Sequence, residues 1–259
     1  MHDFTVVVGV KQVPDADEVG LDPDTGRLDR ASAPAVMNPP DRCALEAALS
    51  LKDAHAARVI AVTMGPPMAT PVLREAVAMG CDDGVLITDR AFAGSDTWPT
   101  SLTLARVAEH LDADVVLCGE ETTDSSTGQV PPGIAAHNGW AQLTYVEALD
   151  LRPEEGRVVA HRDVEGGYEV VAADLPVVVA VAFGSFEPRP AGLHRKLFAE
   201  TEFDPRELSA ADLGIEEEVG LAVSPTSVGG METVQPVDRQ GEVVDEVDDL
   251  LGPIREAVA

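Results

Sequence analysis

The sequence predicts an α/β protein with a doubly wound, mostly parallel sheet and an antiparallel extension. Two patterns support this prediction. Through residue 138, short apolar runs rich in Val and Ile alternate with amphipathic stretches of roughly 10 to 14 residues, as expected for parallel strands joined by crossover helices. After residue 144, shorter strand-like runs follow one another with Gly-containing turns between them, which is typical of antiparallel hairpins.

The strands of the first half are predicted from β-branched and apolar runs that end at polar, Gly-containing or Pro-containing loops. Runs of this length and composition are typical of strands that are buried on both faces of a sheet. They occupy residues 6–10, 59–63, 84–88 and 113–118.

The helices of the first half are predicted from apolar residues at helical spacing and from their end signals. In the first helix, Ala44, Leu45, Ala48 and Leu51 share one face and Asp41 lies in the first turn. The four helices are expected over residues 39–52, 70–79 and 98–111, with the last beginning at residue 134.

The second half is expected to extend the sheet and then lose its regular pattern. Strands are predicted at residues 146–151, 157–163, 168–173 and 177–181. From residue 186 the sequence turns irregular, and from 219 it has little periodicity, as in a segment that lies on another surface. We therefore expect an α/β domain over residues 1–185, a recognition loop with its following segment over 186–218, and a C-terminal arm over 219–259.

Composition excludes several functional classes. The formal net charge is −28, from 46 acidic and 18 basic residues, which argues against binding to nucleic acid or to an anionic membrane surface. The same excess favours a surface that stays hydrated in concentrated salt, where screening weakens self-repulsion. No apolar run reaches the roughly 18 residues of a membrane span, and the first residues lack a basic signal region, so a cytoplasmic protein is expected.

The sequence contains no recognisable catalytic or metal-binding constellation. Its three cysteines, Cys43, Cys81 and Cys118, are far apart, form no CxxC pair and are expected to be buried small hydrophobic residues. The six histidines are scattered, and no Ser–His arrangement on a strand–turn–helix elbow is present. A binding or carrier protein is therefore favoured over a hydrolase, with no catalytic residue and no metal.

Four loops follow the predicted parallel strands and should meet at one edge of the sheet. Ligands of such sheets bind beyond the carboxyl ends of the strands. The loops span residues 9–14, 63–67, 88–97 and 119–132, and the first contains Lys11. In the last loop, the amides of Thr127 and Gly128 are suited to a phosphate at a helix start. The alternative is that Asp124, Ser125 or Ser126 caps the helix, and no Walker or GxGxxG motif decides between the two.

At these loops the sequence resembles the β subunit of electron transfer flavoproteins, over nearly the whole chain. The resemblance rests on several motifs at matching spacing: "VGVKQVPD" (8–15), "MNPPDRCALEAAL" (37–49), "VIAVTMGPP" (59–67), "EAVAMGCDDGVLITDRAFAGSDT" (75–97), "LCGEETTDSSTGQVPPGIA" (117–135) and "LTYVEAL" (143–149). It implies a Rossmann-like fold of the adenine nucleotide α-hydrolase type, in which the β subunit binds AMP and forms a heterodimer with an α subunit that carries FAD.

Three motifs, "KQVPD", "TMGPP" and "TDRAFAGSDT", are more similar to the electron-bifurcating branch, in which a second FAD replaces the AMP. The resemblance therefore implies FAD in the β subunit or shared with the α subunit, with AMP as the alternative. It also implies electron flow from an acyl-CoA dehydrogenase or another flavin dehydrogenase toward a membrane quinone oxidoreductase or another acceptor.

The resemblance assigns roles to individual positions in this sequence. Leu193 matches the leucine that anchors the loop which grips dehydrogenase partners. The arm over residues 219–259, inferred above from its lack of periodicity, is then expected to pack on the α subunit. The loop that approaches the flavin contains Thr88, Asp89, Ser95, Asp96 and Thr97. The nucleotide contacts are Gly9, Val10, Lys11, Asn38, Pro39, Asp41 and Met64, with the phosphates on Asp124, Thr127, Gly128, Gln129 and Val130.

The sequence departs from the family pattern beside the expected phosphate site. Glu120 and Glu121 stand where a cation followed by Gln is common, and Pro131 replaces a glycine and removes an amide donor. A nucleotide-binding stress or signalling protein of the same fold, without a redox role, stays an alternative because fold alone does not separate the two functions.

Overall fold

The computed structural model describes residues 4–15, 20–21, 28–29, 34–227, 251 and 254–255. The chain divides into two units, residues 1–227 and residues 228–259. The second unit is described only at three exposed helical residues, Leu251, Ile254 and Arg255. The predicted arm therefore lies outside the described residues from position 228 onward, apart from these three.

The first unit is built on a nine-stranded sheet in the order β11-β10-β9-β12-β8-β1-β6-β7-β13. The strands in this sheet are β1 (Thr5–Gly9), β6 (Arg58–Met64), β7 (Asp83–Ile87), β8 (Val115–Gly119), β9 (Ala141–Arg152), β10 (Arg157–Val164), β11 (Gly167–Asp174), β12 (Val177–Val181) and β13 (Arg206–Leu208). In the part of the sheet ordered β9-β12-β8-β1-β6-β7-β13, neighbouring strands pair in parallel. The pairs β9–β10 and β10–β11 are antiparallel. The predicted fold class is confirmed.

Two short ribbons and six helices complete the unit. The ribbons pair β2 (Gln12–Pro14) with β5 (Ala35–Met37) and β3 (Gly20–Leu21) with β4 (Leu28–Asp29). The helices are α1 (Pro39–His55), α2 (Thr70–Met79), α3 (Thr97–His110), α4 (Val130–Asn138), α5 (Leu193–Thr201) and α6 (Ala210–Leu213).

Helices cover both faces of the sheet because its central strands carry apolar side chains on both faces. In β1, Val6 and Val8 join the core under α1 and α2, whereas Val7 joins the core under α3 and α4. All three side chains are at most 1% exposed. Burial on both faces is what makes these strands continuous Val-rich runs rather than alternating ones.

The three cysteines are buried and unpaired, as the sequence predicts. Burial raises the pKa of the Cys81 and Cys118 thiols to about 12. Since the thiolate is the reactive form of cysteine, these two side chains are chemically inert near neutral pH.

The sequence predicts an irregular segment from residue 186, and this expectation is wrong from residue 193 onward. The structure has α5, then β13 at the edge of the sheet, and then α6, which begins with a capping box between Ser209 and Asp212. Helix α5 was missed although Leu193 and Leu197 lie one helical turn apart, and Ala199 is its only buried residue. Within the described ranges, the structure has no helix long and apolar enough to cross a bilayer.

Candidate functional site

The parallel strands bring the predicted loops to one edge of the sheet. Because β1, β6, β7, β8 and β12 run in the same direction, their carboxyl ends share that edge. Gly9 and Met64 are the last residues of β1 and β6. The amide of Val10 continues the ladder by donating to the Val62 carbonyl at 2.9 Å. The four predicted loops therefore begin at the same edge of the sheet, as the sequence predicts.

The side chain of Lys11 joins the first loop to the last one. Its Nζ lies 2.8 Å from Oδ1 and 2.7 Å from Oδ2 of Asp124. Partial burial would raise the pKa of Asp124, but hydrogen bonds from Lys11 and its neighbours hold it below its ordinary value. The site thus contains a cation and a carboxylate in direct contact, each partly exposed.

Asp41, in the first turn of α1, is buried between two strand ends. Its Oδ2 accepts a hydrogen bond from the Lys11 amide at 2.8 Å, and its Oδ1 accepts one from the Gly119 amide at 3.1 Å. Burial raises the pKa of Asp41 to about 7, although these hydrogen bonds oppose the rise. A Cβ on Gly119 would lie 2.7 Å from Asp41 Oδ1, so the strand end approaches the carboxylate closely because that residue is glycine.

Asn38 is a second buried polar side chain that supports the loop over residues 119–132. Its amide nitrogen donates to the Glu121 carbonyl at 2.9 Å, and its Oδ1 accepts from the Thr123 amide at 3.1 Å. The side chain is fully buried. Asn38 and Asp41 thus bond to protein backbone and hold the shape of the loops.

The loop over residues 122–130 does not use its polar side chains to cap α4. The N-cap of α4 is Gln129, and no side chain caps the helix. The capping alternative for Asp124, Ser125 and Ser126 is therefore wrong. Two hydroxyls of the loop bond within it instead, since Thr122 Oγ1 contacts Ser125 Oγ at 2.8 Å.

The same loop presents backbone amides. Within the described part of the chain, no atom accepts a hydrogen bond from the amides of Thr127, Gly128 or Val130. Gly128 has a φ of +61°, a left-handed conformation that glycine adopts without strain. Successive exposed amides around such a residue form a concave site for an anion. Pro131 and Pro132 follow in the first helical turn and contribute no amide proton.

Loop 88–97 is connected to this amide-lined loop through one side-chain hydrogen bond. Thr97 Oγ1 donates to Gln129 Oε1 at 2.8 Å. Beside this bond, a cavity of about 200 Å³ opens between α3 and α4, lined by Thr97, Trp98, Ser101, Gln129, Gly133, Ala136 and His137. The Trp98 ring meets His137 edge to face, with 4.7 Å between ring centroids.

The other predicted residues of loop 88–97 bond to later parts of the chain. The Thr88 amide donates to the Leu208 carbonyl at 3.0 Å, and Asp89 accepts from the Ala210 amide at 3.2 Å. These bonds fasten the loop to β13 and α6.

Residues 220–226 hold the tip of the same loop. Ser95 Oγ accepts from the Gly220 amide at 2.9 Å. Asp96 caps α3 through the Trp98 amide and also accepts from the Thr226 amide at 2.8 Å. Sequence reasoning missed these contacts because the partners are more than a hundred residues apart.

Leu193 is the first residue of α5, and 85% of its surface is exposed. Leu197, one helical turn later, is 59% exposed. The structure thus presents the predicted anchor on a helix rather than on a loop.

Known proteins match the chain over almost its full length. Residues 25–206 match the electron transfer flavoprotein domain family. The chain is 40% identical over 257 residues to the electron transfer flavoprotein subunit beta of Clostridium acetobutylicum, covering 99% of this chain and 95% of that protein. It is 40% identical over 227 residues to the caffeyl-CoA reductase-Etf complex subunit CarD of Acetobacterium woodii, covering 86% and 85%.

A third relative is the protein FixA of Azotobacter vinelandii, 37% identical over 249 residues, covering 93% of this chain and 88% of that protein. These matches favour the electron carrier over the stress or signalling protein. The chain belongs to the electron transfer flavoprotein family and is one of its β subunits.

Proposed function

We propose that this β subunit holds FAD at the carboxyl edge of its sheet and acts as a heterodimer with an electron transfer flavoprotein α subunit. In this role it passes electrons from an acyl-CoA dehydrogenase or another flavin dehydrogenase toward a membrane quinone oxidoreductase or another acceptor. The observation that carries the nucleotide assignment is the row of amides at Thr127, Gly128 and Val130 beside the Lys11–Asp124 pair.

The phosphates of the nucleotide are assigned to that row of amides. Backbone amides at a helix start attract anions through their partial positive charge. Lys11, which belongs to the family motif KQVPD, supplies a cation on the neighbouring loop, where Asp124 pairs with it. Glu120 itself points its Oε1 at the Phe183 amide, 3.1 Å away, so its carboxylate is engaged at the end of β12.

The flavin end is assigned to the Thr97 side of loop 88–97. The Thr97 hydroxyl already contacts Gln129 beside the amide row, whereas Ser95 and Asp96 bond to residues 220–226. The adjacent cavity of about 200 Å³ is smaller than the roughly 300–1,000 Å³ of a typical ligand site. The cavity alone is therefore too small to enclose a flavin, and the proposal requires the α subunit to supply the rest of the site.

When bound, the flavin supplies the redox chemistry, and the protein sets its orientation and potential. Lys11 and the amides of Thr127, Gly128 and Val130 would hold the phosphates. Asp41 and Asn38 fix the loops that carry these groups.

The motifs "KQVPD", "TMGPP" and "TDRAFAGSDT" support a place in the electron-bifurcating branch. The 40% identity to a subunit named as part of a caffeyl-CoA reductase–Etf complex supports the same placement. We therefore include flavin-based bifurcation in the proposed function.

The experiment is to co-express the chain with its α subunit, extract the purified complex and quantify its nucleotides by chromatography. Two FAD per heterodimer without AMP is the expected result. One FAD and one AMP rejects the FAD assignment and returns the protein to the branch that does not bifurcate. A colourless homodimer that binds ATP rejects the electron-carrier function itself.

A further inference from the structure

Helix α5 is anchored to the domain with almost no apolar burial. It has nine residues, of which only Ala199 is buried. Leu193, Leu197 and Phe198 are 85%, 59% and 41% exposed. A helix this short is marginal by itself and depends on tertiary contacts. Polar contacts therefore supply an important part of what fixes its position.

The strongest polar contact of this region comes just before the helix, at Arg189. Its guanidinium Nε lies 3.0 and 2.9 Å from the two carboxylate oxygens of Glu46, and its NH2 lies 2.7 Å from Glu46 Oε1. Its NH2 also lies 2.9 Å from Asp53 Oδ2. The Arg189 backbone amide donates to Glu46 Oε2 at 3.0 Å. One residue thus binds α1 through both its side chain and its backbone.

The geometry of this contact requires arginine. Glu46 is 9% exposed and accepts the planar fork through both oxygens, which an ammonium group does not reproduce. Glu46 and Asp53 are seven residues apart on α1, so both carboxylates lie on the same face of the helix. The segment is thereby fixed four residues before Leu193.

A second arginine fixes the helix itself. Arg195 Nε donates to the Val77 carbonyl at 3.1 Å, and its NH2 donates to the Cys81 carbonyl at 2.6 Å. Both acceptors lie at the end of α2. Arg189 therefore determines how the chain enters α5, and Arg195 determines how the first turn lies on α2.

We propose that Arg189 is the positioning residue for donor docking: bound to Glu46 and Asp53, it holds α5 so that Leu193 is presented to the flavin dehydrogenase in one orientation. The inference rests on the proposed docking role of Leu193. Arg189 acts through α5 and needs no contact with the donor or the cofactor. A structural role alone predicts lower stability with an unchanged KM for the complex; the positioning role predicts a raised KM in a complex that keeps its fold and its cofactor content.

The test uses the complete complex with the α subunit and measures its reduction by an acyl-CoA dehydrogenase that has been reduced with its acyl-CoA substrate. The variants are Arg189→Gln, Arg189→Lys, Glu46→Gln, Leu193→Ala and the double variant Arg189→Gln/Leu193→Ala. Arg157→Gln is the matched control, because Arg157 pairs with Asp174 on the exposed β10–β11 hairpin. Cofactor content and the melting temperature show whether each complex is intact. If Arg189→Gln does not fold, Glu46→Gln, which breaks the same ion pair, takes its place in the comparison.

We expect Arg189→Gln to raise the KM for the complex by roughly tenfold or more while leaving the rate at saturation unchanged. Arg189→Lys recovers little of the loss, and Arg157→Gln behaves like the wild type. The double variant is no slower than Leu193→Ala, because both changes act on one contact. We expect trypsin to cleave the Arg189→Gln variant after Arg195 and Lys196 faster than it cleaves the wild type, because α5 unfolds locally more often.

Two results overturn the inference alone: Leu193→Ala is slow while Arg189→Gln has the wild-type KM, or the two effects multiply in the double variant. A wild-type rate for Leu193→Ala rejects the proposed docking role, and the Arg189 inference falls with it. The FAD and AMP content of the complex is measured separately, so the cofactor proposal stands or fails independently.

Discussion

Lys11 and Asp124 are 113 residues apart in sequence, yet Nζ of the first lies 2.7 Å from Oδ2 of the second. Lys11 is one of only three lysines in the chain. The side chains of the pair are 41% and 31% exposed, and such exposed pairs contribute roughly 0–1 kcal/mol to stability. Lys11 therefore matters chiefly because it offsets the negative charge of Asp124 in the loop that carries the proposed phosphate site.

Replacing Lys11 with Gln is expected to lower the nucleotide content of the purified complex while changing the melting temperature little. The variant removes the cation beside the amides of residues 127–130. The measurement is nucleotide per complex after desalting. Arg58→Gln is the matched control, because the Arg58–Asp83 pair has similar exposure, 44% and 30%, at the opposite end of the strands. Equal nucleotide loss in both variants would contradict the role of Lys11.

Asp41 is expected to make stability depend on pH. Its pKa in the folded protein is raised from 3.8 to about 7, so the folded state binds a proton that the unfolded state has released. The stability from Asp41 is fully present below pH 3.8 and is lost as the pH rises through about 7. A shift of this size corresponds to about 4 kcal/mol at most.

Thermal unfolding of the complex from pH 5 to pH 8 checks this expectation. Asp41→Asn cannot ionise, so its melting temperature should rise relative to that of the wild type as the pH increases. Asp150→Asn, at an exposed strand position, is the control. A constant difference between wild type and Asp41→Asn across this range would rule out the titration of Asp41.

Leu193→Ala is expected to slow donor-dependent reduction without changing the fold. The side chain is 85% exposed, and surface substitutions usually change stability by less than about 0.5 kcal/mol. A leucine that inserts into a partner pocket contributes roughly 2 kcal/mol or more to binding. Stopped-flow reduction of the complex measures the effect, and Val170→Ala, 55% exposed on the hairpin, is the control. Equal rates for Leu193→Ala and wild type would refute the anchor.

Two truncations distinguish the role of residues 228–259 from that of residues 219–227, which bond to the tip of loop 88–97. Ending the chain after residue 227 is expected to abolish α-subunit binding and to leave the core intact. Ending it after residue 218 also removes Gly220, Ser224 and Thr226, which bond to Ser95 and Asp96. Hydrogen exchange over residues 93–96 should then accelerate only in the shorter chain.

Size-exclusion chromatography of each truncated chain, co-expressed with the α subunit, measures binding. Co-elution at full yield after truncation at residue 227 would show that residues 228–259 are not needed for the heterodimer. Equal exchange in the two chains would show that residues 219–227 do not stabilise the loop.

The net charge of −28 predicts that the complex becomes more stable as salt is added. The Debye length falls from about 10 Å at 0.1 M to about 3 Å at 1 M, which screens the repulsion among the acidic side chains. Urea denaturation in 0.1 M and 1 M KCl measures the change. Indifference to salt would contradict the interpretation of the acidic surface.

The parallel strands up to residue 138 were predictable from sequence because strands buried on both faces are continuous apolar runs, whereas the two short ribbons between residues 12 and 37 were not predicted. The strand predicted at residues 59–63 is β6, Arg58–Met64. The helix predicted to begin at 134 starts at Val130, because Pro131 and Pro132 fit a first helical turn but conceal it in sequence.

The candidate site was only partly predictable. The loops were located correctly because the ends of parallel strands follow from the strand order. The bracing role of Asp41 was not visible, since its partners Lys11 and Gly119 lie 30 and 78 residues away in sequence. Helix α5 was missed although Leu193 and Leu197 lie one helical turn apart, and its arginine contacts with distant residues were not visible in the sequence.

The buried cysteines make the natural chain suitable for site-specific labelling. The three thiols are enclosed by the core, and the pKa values of two of them are about 12, so maleimide and nitroxide reagents at neutral pH react first with a cysteine introduced at the surface. An introduced cysteine at Met68, 72% exposed, or at Val170 can carry a probe without prior removal of the native thiols. Distances between such probes and the α subunit then become measurable in the working complex during turnover.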